Sequence, residues 1–310
     1  MRIGIPRALL YYWYGFYWEN FWKTSGLTVI TSPATNQQLM SAGIEVGLDE
    51  LCLPVKIFLG HIRILAHQVD YIMIPHLIKV ESDAYICPKF MGLPDIVSHA
   101  VPNVKDKMVV VKVGPEQVDM SVSLKKAAKQ LGIKSNFRKF SNKPDLTINP
   151  AVEMLNNYNK EETLAKNDNR LNIGLLGHPY CLYDSCFNLN LLKALNLNGV
   201  KFLTPEMLPD NYRGIGSNKL AKKLFWTTGK LQFDALDWML NSAEEVDGFI
   251  QIAPFACGPE AIVGDMLERR IKAANKPYLK IFYEEHSGEA GIITRLEAFI
   301  DLIKYRRLAC

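Results

Sequence analysis

Residues 246–260 read VDGFIQIAPFACGPE, and the fold is decided by this stretch. An apolar run typical of a buried strand is followed by a turn and then by Cys257, which precedes Gly258 and Pro259. Proline is favoured in the first turn of a helix, because the N–H that it lacks would have no partner there. The stretch therefore predicts a strand, a turn and a helix that begins at a cysteine.

An earlier part of the chain repeats this pattern. Residues 69–75 read VDYIMIP, and Cys87 follows them with a proline directly after it. Both apolar runs open with Val-Asp and break at proline. A lysine follows each cysteine at nearly the same distance, Lys107 after Cys87 and Lys276 after Cys257, and each lysine precedes another strand-like run. The two halves are therefore predicted to be related by internal duplication.

The opening segments of the two halves share one β-α-β plan. The predicted strand, helix and strand cover residues 2–5, 9–25 and 27–31 in the first half, and 172–176, 185–197 and 200–203 in the second. Alternating strands and helices indicate a parallel sheet. We predict two Rossmann-like (flavodoxin-like) α/β domains, residues 1–160 and 161–310, because the most hydrophilic stretch, residues 156–170, is typical of a domain boundary.

A third cysteine shares the proline context. Cys52 precedes Pro54, as Cys257 precedes Pro259, so Cys52, Cys87 and Cys257 are all predicted at helix N-termini. The free N–H groups and the dipole at that end stabilise a thiolate, which is the form that binds metal. Three such thiolates favour a soft metal or an iron–sulfur cluster. A single cysteine is also interpreted as a small buried apolar residue, but the shared context favours a cluster for the set.

Further candidate site residues follow predicted strands. In doubly wound sheets, ligands bind outside the carboxyl ends of the strands. Cys87, Cys257, Arg7 and His178 are therefore predicted to face the cleft between the two domains. Arg7 is a candidate for binding a phosphate or carboxylate, and His178 is a candidate proton donor or substrate contact. Glu260 is a candidate acid–base group. The structural alternatives are that His178 holds a loop carbonyl and that Glu260 caps a helix.

Other polar residues near these motifs have two interpretations each. Lys56 and Lys89 follow cluster cysteines, and they either offset the cluster's negative charge or are ordinary surface lysines. Glu284 lies at a predicted strand end and is an acid–base group or a cap. Cys181 and Cys186 are accessory ligands or buried structural cysteines.

Composition excludes several classes of protein. The 310 residues carry a net charge of only +4 and no dense basic block, so nucleic-acid binding is not predicted. No uninterrupted apolar run approaches the roughly 18 residues of a membrane span, and the first residues do not form a signal peptide. We expect a cytoplasmic protein, in which cysteines stay reduced and widely spaced ones bind metal or act in catalysis.

Six motifs carry a resemblance to a known family. They are MRIGIPRALLYYWYGFYWENFW (1–22), DELCLPVKIFLGH (49–61), ICPKFMGLPD (86–95), GHPYCLYD (177–184), APFACGPE (253–260) and EEHSGEAGIITRLEAFID (284–301). In this order they resemble the 2-hydroxyacyl-CoA dehydratase component D and benzoyl-CoA reductase-like family, and most closely its acyl-CoA dehydratase activase-related (CoA-protein activase) branch.

The resemblance implies an oxygen-sensitive iron–sulfur protein. Cys52, Cys87 and Cys257 would hold a 4Fe-4S cluster in the cleft between two α/β domains. A separate ATP-dependent activator, itself an iron–sulfur protein, would supply low-potential electrons, and a homodimer or heterodimer is a further expectation. The chain has no phosphate-binding P-loop and no room for the ATPase module that larger relatives carry, so we do not expect it to hydrolyse ATP. Only three cysteines have the matching context, which predicts one cubane rather than a double-cubane cluster.

Three functions stay open on the sequence alone. The first is a redox enzyme or subunit that passes electrons to a small substrate at an open iron site. The second is an electron-transfer or cluster-carrying accessory protein without a substrate. The third is a metal-free two-domain protein that binds a small ligand.

Overall fold

Two α/β units make up the chain. In this computed structural model, residues 1–114, 119–133, 140, 144, 149–162, 170–241 and 246–309 are described. The first unit comprises Met1–Ala151 together with Phe225–Thr227, and the second comprises Val152–Leu224 and Thr228–Cys310. The sequence places the boundary at residues 160/161, within the hydrophilic stretch at 156–170, of which residues 163–169 lie outside the described part.

The first unit contains a four-stranded parallel sheet. Its strands, in the spatial order β2-β1-β3-β4, are β1 (Arg2–Ile5), β2 (Thr28–Thr31), β3 (Tyr71–Leu77) and β4 (Met108–Val113). Gly4 pairs with Ile30 on one side and with Ile72 on the other, so β1 is a central strand. The point at which the strand order reverses lies between β1 and β3, where such sheets bind ligands beyond the strand ends.

Helices connect and flank these strands. They are α1 (Tyr11–Thr24), α2 (Gln37–Val46), α3 (Leu53–Ala66), α4 (Pro88–Met91), α5 (Leu93–Ala100), α6 (Met120–Gln130) and α7 (Pro150–Glu162), whose last residues belong to the second unit. The aromatic run of α1 is mostly buried, with Trp18, Phe21 and Trp22 each at most 1% exposed. These aromatic side chains therefore belong to the core of the first unit.

The second unit repeats the strand order of the first. Its parallel sheet runs β6-β5-β7-β8, with β5 (Asn172–Gly177), β6 (Lys201–Leu203), β7 (Gly248–Pro254) and β8 (Tyr278–Tyr283). Every residue of β7 is buried, as its apolar sequence predicts for a central strand covered on both faces. The predicted α/β fold with two parallel sheets is therefore confirmed, whereas the duplication remains a prediction.

Helices connect and flank the strands of the second unit. They are α8 (Pro179–Leu182), α9 (Leu191–Leu197), α10 (Ile215–Asn218), α11 (Thr227–Asn241), α12 (Gly258–Ala273) and α13 (Glu289–Ala309), and the first residue of α11 belongs to the first unit. The helix predicted over residues 185–197 was wrong in its first turns. Leu189 and Asn190 have positive φ angles of 51° and 59°, which delays the start of α9.

Candidate functional site

Each of the three predicted cysteines is the N-cap of a helix. Cys52 precedes α3, Cys87 precedes α4 and Cys257 precedes α12, and each helix has proline in its first two positions. The proline context therefore predicted the local structure correctly. Helices that follow parallel strands begin at the carboxyl edge of the sheet, so each cysteine lies at the ligand-binding edge of its own unit.

Cys52 and Cys87 are neighbours in the first unit. A negative charge on Cys87 raises the pKa of Cys52, which shows that the two thiols are within electrostatic range. Both belong to the carboxyl edge of one sheet, and Lys89 beside them lowers the pKa of both thiols. The Lys89 ammonium also donates to the backbone carbonyl of Glu50. This edge therefore places two thiols near the Lys89 cation.

At Cys52 and Cys87, burial outweighs the predicted stabilisation of a thiolate by the helix start. Burial raises the pKa of Cys52 to about 11, although the backbone N–H of Val55 acts in the opposite direction. Burial likewise raises the pKa of Cys87 against the N–H groups of Phe90 and Lys89. Desolvation penalises the charged form more than the helix start favours it. These thiols would ionise only with a further positive charge, such as a metal ion.

Cys257 lies in the second unit beside two other predicted site residues. Its Sγ is 3.7 Å from Nε2 of His178, and the same Nε2 is 3.1 Å from Oε2 of Glu260. His178 follows β5 and Cys257 follows β7, so the pair lies where the strand order of this sheet reverses. His178 is 3% exposed and Glu260 only 1%. The sequence thus identified three residues that the fold brings together.

The contacts of His178 differ from those of a Cys-His-acid triad. A triad uses one ring nitrogen for the nucleophile and the other for the acid, whereas here Nε2 faces both Cys257 and Glu260. Nδ1 is buried and has no hydrogen-bond partner. The ring stacks on Tyr180, with centroids 5.0 Å apart. Burial lowers the pKa of His178, and the Glu260 carboxylate opposes this shift.

Two glutamines that sequence reasoning missed hold Glu260. Gln251 Nε2 donates to Oε1 at 2.6 Å, and Gln232 Nε2 donates to Oε2 at 3.0 Å. The Tyr278 hydroxyl donates to the side-chain oxygen of Gln251. A signal was present for Gln251, because it is the one polar side chain in the otherwise apolar strand GFIQIAP. A buried amide in such a strand indicates a polar partner, which is Glu260.

Arg7 lies at the carboxyl end of β1, as predicted. Its backbone N–H donates to Ser32 Oγ at 2.8 Å, and its Nε is buried without a hydrogen-bond partner. His61, which the sequence did not single out, is fully buried nearby. Ser32 Oγ lies 2.7 Å from its Nδ1, and Thr35 Oγ1 lies 3.1 Å from its Nε2. Burial and the charge of Arg7 lower the pKa of His61 to about 3, so this imidazole is neutral.

The remaining candidates lie in varied environments. Lys56 is 4% exposed, so it is not a surface lysine, and its side chain runs beside Gly47. Cys181 is fully buried, and burial raises the pKa of Cys186 to about 11. Glu284 is exposed after β8, where its backbone N–H donates to Ser287 Oγ.

Metal-binding groups were sought across both units. Within the ranges described above, no three Cys, His, Asp or Glu side chains meet in an arrangement that would hold a metal ion. The first unit pairs Cys52 with Cys87, and the second groups Cys257 with His178 and Glu260. The cluster ligand set remains a prediction. None of the described helices is sufficiently long and apolar to cross a membrane.

Comparison with known proteins identifies the family. No curated protein matches the chain. The family model of the CoA enzyme activase uncharacterised domain matches residues 2–208, a range that includes Arg7, Cys52, Cys87 and His178 and ends before Cys257. This match supports the activase-related branch of the predicted resemblance, and the likeness to dehydratase component D and benzoyl-CoA reductase remains a prediction. Because the match covers more than half of the 310 residues, the chain belongs to the CoA enzyme activase uncharacterised domain family.

Proposed function

We propose that this protein is an iron–sulfur redox component of an acyl-CoA dehydratase system. In this proposal it holds one 4Fe-4S cluster through Cys52, Cys87 and Cys257 and receives low-potential electrons from a separate ATP-dependent activator. Membership of the CoA enzyme activase family supports a role in such a system. The observation that carries the redox proposal is the pair of neighbouring N-cap thiols, Cys52 and Cys87, at one sheet edge.

The surroundings of this pair fit a thiolate-held cluster. Backbone N–H groups of Val55 and of Phe90 favour negative charge on Cys52 and Cys87 respectively, and Lys89 favours it on both. N–H groups directed at cluster sulfurs and nearby positive charge are among the features that set a cluster's potential. A bound cubane would provide one-electron transfer.

Residues of the second unit would handle protons in this proposal. Nε2–H of His178 donates to Glu260 in the neutral tautomer, which leaves Nδ1 as a buried acceptor without a partner. That nitrogen is available to accept or return a proton on a substrate. Gln232 and Gln251 fix the carboxylate, so Glu260 holds the ring in one orientation. His178 and Glu260 are thus the proposed acid–base pair.

A metal-free small-ligand-binding protein is the second candidate function. The raised pKa of Cys52 favours it, because a neutral buried thiol is a stable state without any metal. An electron carrier without a substrate would hold the same cluster as the proposed redox component. The iron content therefore distinguishes the metal-free protein from these two but does not distinguish the two from each other.

Anaerobic purification with iron and sulfide analysis tests the cluster. We expect about four iron and four sulfide per chain, and an electron paramagnetic resonance signal after reduction. Cys52→Ala, Cys87→Ala and Cys257→Ala should each lose most of the iron. Cys181→Ala is the matched control, since Cys181 is buried but lies outside the proposed ligand set. Cys310 lies outside the described residues, and Cys310→Ala should also keep its iron. Equal iron in the wild type and in Cys87→Ala would contradict the assignment.

A further inference from the structure

Arg7 is a partly buried cation for which the described residues supply no opposite charge. Its Nε is buried without a hydrogen-bond partner, and no carboxylate in the described ranges forms an ion pair with it. Its backbone N–H donates to Ser32 Oγ, which leaves the guanidinium free of that contact. An unpaired charge removed from water is costly, so proteins normally pair it or use it to bind a ligand.

The neighbours of Arg7 leave this charge uncompensated. His61 lies close enough for Arg7 to depress its pKa, yet both imidazole nitrogens already contact the hydroxyls of Ser32 and Thr35. The imidazole is neutral and offers no negative charge. The hydroxyl groups of Ser32 and Thr35 are also uncharged, so they cannot neutralise the guanidinium as a carboxylate would. The described groups near Arg7 therefore supply no negative charge, which favours an anion from outside the protein.

The position of Arg7 favours a small ligand. It follows β1 directly, at the carboxyl edge between β1 and β3, where the strand order reverses. Doubly wound sheets bind their ligands at this point. Helix α1 begins four residues later, has no acidic residue in its first turn, and directs the positive end of its dipole toward the same edge. Both features add positive potential beside the guanidinium.

We propose that Arg7 binds the phosphate group of a small molecule at the carboxyl end of β1. A guanidinium presents a planar fork of N–H groups that matches phosphate oxygens, and the helix start adds to the attraction for a doubly charged anion over a carboxylate. The proposed site uses Arg7 and not the Cys52 and Cys87 thiols, so it does not depend on a bound cluster. Its ligand class is a phosphate ester or a free phosphate.

Thermal unfolding and calorimetric titration of the full chain with inorganic phosphate test the site. Phosphate should raise the melting temperature of the wild type, and the affinity of Arg7→Gln should fall about tenfold or more. Arg2→Gln is the matched control at the other end of β1, where Arg2 is exposed and pairs with Asp70; it should bind phosphate as the wild type does. Equal affinity in Arg7→Gln would overturn the proposal.

Two further measurements separate the site from a structural role of Arg7. Without phosphate, Arg7→Gln should melt at the wild-type temperature or above, because the substitution removes an uncompensated charge; a clearly lower melting temperature would identify a structural arginine instead. Acetate at the same ionic strength should have no comparable effect, and an equal response to acetate would overturn the phosphate assignment. A phosphate ester such as 3′,5′-ADP binding more tightly than inorganic phosphate would identify the ester as the ligand class.

Discussion

Burial opposes ionisation at most of the chemically interesting side chains of this protein. It raises the pKa of Cys52 to about 11 and lowers that of His61 to about 3, so both side chains are neutral near pH 7 in the free protein. The helix start at Cys52 and the neutral hydroxyls around His61 do not reverse these shifts. For the thiols, the consequence is that a nearby cation, such as a bound metal ion, is needed to favour the thiolate near pH 7. For the imidazole, the consequence is that the stability of the folded protein falls as the pH decreases.

His61 should make the first unit unstable in mild acid. Its folded pKa of about 3 lies below the ordinary value of 6.5, so the unfolded chain takes up the proton first and stability falls as pH decreases from 6.5 toward 3. The loss between pH 7 and pH 5 should be roughly 2 kcal/mol from this residue. Urea unfolding of the wild type and of His61→Gln at both pH values measures it.

The control for this measurement is His67→Gln, at the exposed end of the same helix. The control should keep the wild-type pH dependence, whereas His61→Gln should lose most of it while being less stable at pH 7. An unchanged slope in His61→Gln would show that His61 does not stay neutral in the folded protein.

Sequence reasoning identified residues whose role follows from local context. The three cysteines were placed at helix starts because proline has a strong positional preference, and this placement is confirmed. The effect of burial on the pKa of Cys52 and Cys87 was not predictable, since burial depends on residues distant in the sequence. The contact between Gln251 and Glu260 also depends on tertiary packing. A polar residue in an apolar strand signals such a contact without naming its partner.

At the scale of elements, the packing of α2 on α3 depends on two glycines. A Cβ on Gly43 would lie 1.9 Å from the carbonyl oxygen of Lys56, and one on Gly60 would lie 2.1 Å from that of Leu39. Both contacts are with backbone atoms, which cannot move aside as a flexible side chain would. The two helices therefore approach each other more closely than any larger residue would permit, and α3 carries Cys52 at its start.

Gly60→Ala should separate these helices and destabilise the first unit. We expect a loss of about 3 kcal/mol, because overpacking against backbone outweighs the better helix propensity of alanine. Gly291→Ala in α13 is the control, since nothing lies within 4 Å of a Cβ at that position; its stability should be unchanged or slightly higher. Urea unfolding measures both variants. A Gly60→Ala protein as stable as the control would contradict the close approach of α2 and α3.

Element boundaries show where sequence patterns lose precision. The strand-like run predicted after Lys107 is strand β4, which begins at the next residue. Helix α9 starts later than its predicted first residue, because Asp184 accepts hydrogen bonds from the N–H groups of Cys186 and Phe187 and so favours a turn there. Side-chain capping of this kind competes with the helix. It is difficult to distinguish from a helix start by sequence alone.

For the whole molecule, the proposed function implies a specific electron donor. Reduction would add negative charge beside the buried Cys52 and the partly buried Cys87, and Lys89 is a cation that favours such charge at both. We predict that an ordinary ferredoxin does not reduce the cluster fully, and that an ATP-dependent activator with MgATP does. Electron paramagnetic resonance after mixing with each donor measures this. Full reduction by ferredoxin without nucleotide would favour the electron-carrier function.

Lys89→Glu should slow this reduction without loss of iron, because it places a carboxylate beside the proposed ligands. Lys129→Glu, an exposed substitution in α6, is the charge-matched control and should reduce at the wild-type rate. Equal rates in the two variants would show that Lys89 does not influence the cluster.

The fold class was predictable at this scale because alternation of strands and helices is a long-range pattern that single errors do not change. The two sheets have equivalent strand orders, β2-β1-β3-β4 and β6-β5-β7-β8, and both agree with that prediction. The return of Phe225–Thr227 to the first unit was not predictable. It depends on backbone pairing with Tyr85, which lies far away in the sequence. No sequence pattern predicts this pairing.

That return has a consequence for how the protein can be divided. The N–H of Tyr85 donates to the carbonyl of Phe225, the N–H of Thr227 donates to the carbonyl of Tyr85, each at 2.9 Å, and the two rings of Tyr85 and Phe225 stack. Tyr85 lies two residues before Cys87. A gene fragment that stops at codon 151 would encode both thiols of the first unit but omit the segment that pairs beside one of them. No single cut in the polypeptide yields that unit complete, so an intact Cys87 loop requires translation through residue 227.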